Sequence, residues 1–208
     1  MSSATQRAFC PSCLLHTRGC FCSEIRPFES ELKLVILQHP AEFRKAIGTA
    51  RLAHLCIRDS VFVVGVEVEK DPKIVSLLAS DEHECVLLYP GKEAWDIRKT
   101  GDELRARLRR NGRRLTVFVV DGTWNCAKKL LATNPRIAAL PRISFSGTRP
   151  SEYRIRKQPA SYCLSSIEAI QQVLEVLDPA VSHGHLLEVF RWMVNRQISY
   201  RPTSGADA

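Results

Sequence analysis

Residues 115–131, LTVFVVDGTWNCAKKLL, constrain the fold more than any other stretch of the chain. Leu115 to Val120 are apolar or β-branched throughout, too short a run to cross a membrane and well suited to a strand buried on both faces. Asp121-Gly122 ends the run, and a helical pattern follows with Trp124, Ala127, Leu130 and Leu131 on one side. A carboxylate, a glycine, a hydroxyl and an indole thus come together past the carboxyl end of a central strand. Open α/β sheets bind ligands there. A purely local account also fits the turn: Asp121 or Thr123 caps the next helix, and Trp124 packs beneath it.

Further strands are expected over 32–37, 60–68, 85–89 and 142–145, with helices over 41–57, 74–80, 102–112, 165–177 and 184–198. On the 41–57 helix, Phe43, Ile47, Ala50 and His54 fall near one face, with Arg44, Lys45 and Arg51 adding charge. Ser165 and Glu168 match the S-x-x-E capping box. Apolar strands alternating with helices predict a mostly parallel α/β sheet covered on both faces. The turns after His39 and after Leu88-Tyr89-Pro90-Gly91 are further strand-end candidates for ligand contact, though ordinary turn chemistry also accounts for them.

The 208 residues fit one domain with a small appendage. No apolar run approaches the ~20 residues of a membrane span, and the opening residues, MSSATQRAFC, lack the apolar core of a secretory signal. The expected location is cytoplasmic, where clustered cysteines bind metal more often than they pair. Cys10, Cys13, Cys20 and Cys22, spaced C-x2-C-x6-C-x-C, can surround one tetrahedral Zn²⁺ in a closed structural site. Gly19 would ease the C-x-C turn, and His16 is a spare ligand. Two disulfides, a free cysteine cluster and an iron–sulfur centre are the alternatives. Cys56, Cys85, Cys126 and Cys163 lie among apolar neighbours and read as buried thiols.

The charge balance is basic, Lys+Arg 30 against Asp+Glu 22, which favours a polyanionic partner. Arg105, Arg107, Arg109, Arg110, Arg113 and Arg114 fall within ten residues, and Arg149, Arg154, Arg156 and Lys157 form a second group. The guanidinium fork suits phosphate, so both groups are candidate nucleic-acid contacts, with a solvated face as the alternative.

Several stretches together resemble the DTW-domain family of tRNA-uridine aminocarboxypropyltransferases. They are the cysteine-rich entry, Gln38-His39-Pro40 to Arg51-Leu52, the Leu88–Gly91 turn, Asp121-Gly122-Thr123-Trp124, and Tyr153-Arg154-Ile155-Arg156-Lys157-Gln158-Pro159 leading to Leu164-Ser165-Ser166-Ile167-Glu168-Ala169. They run in order from Phe9 to about Ile198, and Ser166 stands where many relatives would carry threonine. The resemblance implies a SPOUT-like catalytic domain over 31–200 with a carboxyl-terminal trefoil knot, a zinc-binding segment over 1–30, and a polar tail over 201–208. It implies transfer of the 3-amino-3-carboxypropyl group of S-adenosyl-L-methionine to N3 of a tRNA uridine, releasing methylthioadenosine.

On that resemblance the cofactor loops are Leu88, Tyr89, Pro90 and Gly91, then Asp121, Gly122 and Thr123, then Leu164, Ser165, Ser166 and Glu168. Asp121 is the candidate base for the N3 proton or the holder of the cofactor's amino group, and Trp124 the candidate stacking residue. The arginine groups would hold the tRNA backbone without choosing the uridine. Alternatives are an RNA methyltransferase on the same cofactor, the same transfer to ribosomal RNA, and a non-catalytic zinc-containing RNA-binding module. No membrane partner is expected, and monomer and homodimer are both open.

Overall fold

The computed structural model describes residues 9–43, 48–146, 149–155 and 163–200, with Leu108 and Arg109 described by their backbone only. Six strands form one sheet: β1 (Lys33–Gln38), β2 (Val61–Val64), β3 (His83–Leu88), β4 (Trp95–Asp96), β5 (Arg114–Asp121) and β6 (Arg142–Ser144). Their order is β2-β1-β5-β3-β6-β4, and every ladder is parallel. Eight helices accompany them among the described residues: α1 (Pro40–Phe43), α2 (Thr49–Cys56), α3 (Pro72–Ala79), α4 (Ile97–Asn111), α5 (Trp124–Thr133), α6 (Pro135–Ala138), α7 (Ser166–Leu177) and α8 (Gly184–Ser199). Among the described residues no helix is long and apolar enough to cross a membrane.

The chain leaves β1 toward one edge, returns to the other side with β3, and then fills the gap between them with β5. That gap is the topological switch point, where the carboxyl ends of parallel strands open a crevice. Register places Gln38 of β1 beside Asp121 of β5.

Side-chain alternation divides the core. Leu34, Ile36, Val117 and Val119 join residues of α2, α7 and α8 in one cluster, while Val35, Leu37 and Phe118 join residues of α3, α5 and α6 in the other. Burying a side chain such as Phe118 stabilises the fold by about 1.5–3 kcal/mol. Gln38 and Asp121 continue the first set upward, so both side chains meet the α2–α7–α8 layer at its rim.

Several elements differ from the expected ones. The helix expected over 41–57 is two pieces within the described residues, with Gly48 extended before α2. The buried side of α2 is Ala50, Leu52, Ala53 and Cys56, while Phe43 is exposed. Residues 44–47, with Arg44, Lys45 and Ile47, lie outside the described residues. The strand expected over 60–68 stops at Val64, and a 3-10 turn takes Val68–Lys70.

Helix α4 starts at Ile97 rather than at Asp102, and Gly101 lies inside it as a packing residue. A Cβ on Gly101 would stand 2.7 Å from Val176 Cγ1, so its absence lets α4 lie directly on α7. The thiol of Cys56 is buried, but Cys85, Cys126 and Cys163 are only half-buried.

Three histidines sit in this frame: His54 against Ser60 (2.7 Å), His83 against Thr116 (2.7 Å), and His183 beside Asp178 (3.4 Å). Burial is the main cause holding all three below the usual value of 6.5; nearby cations add to it for His54 and His83, and Asp178 partly opposes it for His183. The unfolded chain therefore binds protons near that value that the folded chain refuses, so stability present above it is lost as pH falls through it. Thermal melting from pH 7 to 5.5, with bound metal measured alongside, should show Tm falling. A constant Tm with metal retained would refute this. The carboxylates of Asp59 and Glu152, held low by Lys33 and Arg191 respectively, act only in more acid solution.

Candidate active site

The Asp121 turn is built by local sequence. Thr123 is the N-cap of α5, its hydroxyl accepting from Cys126 N at 3.3 Å. Capping therefore falls to Thr123, and Asp121 is left for other contacts. A Cβ on Gly122 would meet Cys126 Cβ at 3.0 Å and His39 Cβ at 3.6 Å, so this close approach of strand end and helix suits glycine.

Asp121 is 8% exposed. Gln38 Nε2 donates to its Oδ2 at 2.8 Å, and the Ser166 hydroxyl donates to its Oδ1. Its carbonyl accepts from His39 N at 3.0 Å. Chemistry fixes the Gln38 amide, because a carboxylate can only accept and so must face the NH₂. Gln38 Oε1 is thereby turned away, buried and without a hydrogen-bond partner. His39 Nδ1 accepts from Ala41 N at 3.2 Å, a turn contact.

The other two predicted loops reach the same place. Ser165 caps α7 through the predicted capping box, and Ser166 carries the hydroxyl on Asp121. Tyr89, after β3, makes an edge contact with Trp124 at 5.9 Å between centroids, and the Arg142 guanidinium lies 5.5 Å from the Tyr89 ring. Gly91 abuts that arginine, since a Cβ there would stand 3.2 Å from Arg142 Nη1.

Two expectations change. Trp124 is 49% exposed and does not share the buried side of α5 with Ala127, Leu130 and Leu131, so its indole is a surface group. Glu168 turns inward instead: its carboxylate accepts from Ser165 N (2.8 Å), Glu152 N (2.7 Å), Ser151 Oγ (2.7 Å) and Ser165 Oγ. It ties residues 151–152 to the start of α7. Leu164 is half-buried just before the cap.

Sequence order marks neither Gln38 nor Arg142 as a site residue. Gln38 lies in the Gln38-His39-Pro40 stretch, but only strand register pairs it with Asp121.

Cys10, Cys13, Cys20 and Cys22 converge, their sulfurs all within 4.8 Å of one another. Cys10 to Cys22 and Cys13 to Cys20 are each 3.7 Å. A tetrahedron with zinc–sulfur bonds of about 2.3 Å has edges of about 3.8 Å, so the donor set fits zinc and leaves no open position. The Cys10 thiol is drawn down to about 6 by the backbone N–H groups of Cys13 and Ser12, while burial raises Cys13 and Cys22.

His16 turns away, accepting from Arg18 N at 3.2 Å as the cap of a 3-10 turn. Leu14, at φ 61°, and not Gly19, takes the left-handed position in this segment. Cys13 and Phe21 belong to the main core, so the cysteine segment is bound into the domain.

The arginine run divides. Arg105 pairs with Asp102 and the Val176 carbonyl; Arg107 and Arg113 share Glu84 at 2.7 and 3.5 Å. Arg114 is structural, holding the carbonyls of Ser30, Glu31 and Leu32 and the carboxylate of Asp59. Arg110 and Arg149 are exposed, as is Arg154, which reaches Asn195 at 2.9 Å. The Arg109 side chain, Arg156 and Lys157 lie outside what is described.

A family model described as the DTW domain matches residues 7–198. Three relatives carry the name tRNA-uridine aminocarboxypropyltransferase 2. The Drosophila melanogaster protein is 28% identical over 178 residues, 83% of this chain and 68% of the relative. The Macaca fascicularis and Mus musculus proteins are 27% and 26% identical over 181 residues, 84% of this chain and 58% of each relative. The chain thus spans well under two thirds of the length of the two mammalian relatives. No solved structure matches it.

Proposed function

Because this chain belongs to the DTW domain family, we propose that it transfers the 3-amino-3-carboxypropyl group of S-adenosyl-L-methionine to N3 of a uridine in tRNA. The observation that carries the reading is the buried Asp121 carboxylate, clamped by Gln38 and Ser166 at the switch point with the turns after β3 and before α7 around it. The names of the relatives supply the reaction class. A SPOUT-like knotted frame, with a zinc segment over 1–30 and a catalytic domain over 31–200, belongs to the same reading.

These residues suit the cofactor. A fixed carboxylate complements its cationic side, the sulfonium and the ammonium group. Leu88, Tyr89, Pro90 and Gly91, with Gly122, Thr123, Leu164, Ser165 and Ser166, would line it, and Glu168 would brace the last of these from behind. When bound, it supplies the propyl carbon to which uridine N3 bonds while the carbon–sulfur pair passes to sulfur, leaving methylthioadenosine. Asp121 receives the N3 proton and opposes the sulfonium charge; Gln38 and Ser166 hold its oxygens in place. Orientation and proton removal are the protein's main contributions.

Cys10, Cys13, Cys20 and Cys22 hold structural zinc in this reading. Arg110, Arg149 and Arg154 offer exposed charge to the tRNA backbone, and Arg105, Arg107, Arg109, Arg113, Arg114, Arg156 and Lys157 complete the proposed RNA contacts.

The test is incubation of the zinc-loaded protein with S-adenosylmethionine and tRNA, followed by chromatography of the small product and mass analysis of the nucleosides. Methylthioadenosine with an aminocarboxypropylated uridine is expected. S-adenosylhomocysteine would make it a methyltransferase, and tRNA binding without cofactor affinity would make it a binding module.

A further inference from the structure

A cavity of about 400 Å³ has Gln38, the partner of Asp121, in its lining. Its walls come from three parts of the chain: the cysteine segment, the α1–α2 region and the carboxyl-terminal end of α8. Phe43 is 49% exposed on it and Tyr200 57%, although both are large aromatics. Arg51 lies 5.5 Å from the Phe43 ring, and Arg196 lies 5.1 Å from Trp192 and 5.7 Å from Tyr200. Glu42 is the acidic member of the lining, against these two guanidinium groups.

Gln38 Oε1, buried and unpartnered, belongs to the residue at its inner end, which is only 2% exposed. A buried acceptor left unpaired is costly. None of Tyr89, Gly91, Trp124 and Ser166 is in the lining, so this space is distinct from the loops assigned to the cofactor.

We infer that this cavity takes an unpaired nucleobase of the substrate RNA, stacked against Phe43 and Tyr200. Aromatic faces bind splayed bases whatever their identity, and neighbouring guanidinium groups meet the flanking phosphates. The volume suits a ligand of nucleotide size. Gln38 then becomes a positioning residue, since the same side chain lines the cavity and holds Asp121. The inference rests on the tRNA reading above and names a subsite within it.

The cavity also explains the placement of the cysteine segment. Arg196 and Tyr200 both donate to the Arg18 carbonyl, Tyr200 at 3.0 Å. Folding of residues 9–22 around the metal thus sets the far wall.

The test uses the zinc-loaded full chain with Phe43→Ala, with Phe43→Ala/Tyr200→Ala, and with Tyr200→Phe as the variant that keeps the ring. Equilibrium binding of deproteinised total tRNA and of S-adenosylmethionine are measured separately, beside thermal melting. The expected result is tRNA affinity roughly 10- to 100-fold weaker in the double variant, weaker also in Phe43→Ala, and nearer wild type in Tyr200→Phe, which keeps the ring and gives up only its bond to the Arg18 carbonyl, with cofactor affinity unchanged throughout. Lost cofactor affinity with tRNA binding intact would assign the cavity to the cofactor and overturn the inference. Unchanged binding of both would overturn it as well. Should the double variant melt early, Phe43→Ala alone decides, since its side chain is at the surface. A wild-type protein that binds tRNA but releases no methylthioadenosine would remove the transferase reading and leave the cavity assignment standing. A wild-type protein that binds no tRNA would remove both.

Discussion

Asp121→Asn should lower product formation by roughly 10²-fold or more, the usual size of a general-base contribution, while the protein remains folded. The structure makes this variant more informative than the sequence could. Thr123 caps α5, so no helix end depends on Asp121. An asparagine can keep a carbonyl toward Gln38 Nε2, and the Ser166 hydroxyl can rotate to accept from the new NH₂. Shape and hydrogen bonding survive; the negative charge does not. Single-turnover transfer to tRNA, measured beside melting, is the assay. Activity near wild type would sink the assignment, whereas a raised KM for S-adenosylmethionine with kcat preserved would make Asp121 a cofactor anchor.

Removing the metal should have the second large effect. Four sulfurs within 4.8 Å of one another repel once ionised, and the nearby cation Arg51, beside Cys13, offsets that only in part. Zinc binding to such a site is itself folding free energy. We expect one zinc per chain by elemental analysis. Exhaustive chelation or Cys13→Ser should lower Tm by roughly 10 °C or more, since about 1 kcal/mol corresponds to about 2–4 °C in a domain of this size. Cys13 is buried in the main core, so the loss should spread beyond the segment. tRNA affinity should fall with it, because the Arg18 carbonyl holds Arg196 and Tyr200 at the cavity. Equal melting of metal-free and metal-loaded protein would refute the structural role, and iron with visible absorbance would replace zinc by a cluster.

The arginine run shows what charge counting leaves out. Its density pointed to a polyanion, yet Glu84 and Asp59, distant in sequence, take up Arg107, Arg113 and Arg114. Exposed ion pairs of this kind contribute little stability, but they reduce the free charge left for RNA. The exposed side chain of Arg110 differs in this respect from half-buried Arg114, which holds three backbone carbonyls, and single alanine variants should separate them.

What the sequence determined by itself is whatever depends on neighbours along the chain. The unbroken apolar run of β5 specified a strand covered on both faces, because water leaves such residues no other stable place. Ser165 and Glu168, three apart, specified a helix start. The cysteine spacing brought four sulfurs into reach of one ion, and the combined motifs identified the family. Tertiary structure alone decided the rest. Gln38, Asp121 and Ser166 lie 83 and 45 residues apart, and only parallel register and the packing of α7 bring them into one cluster. The exposure of Trp124, the inward turn of Glu168, Gly101 inside α4 and the cavity between α8 and the cysteine segment have the same origin. Each follows from which surfaces the elements present once packed, and short-range propensity carries no information about that.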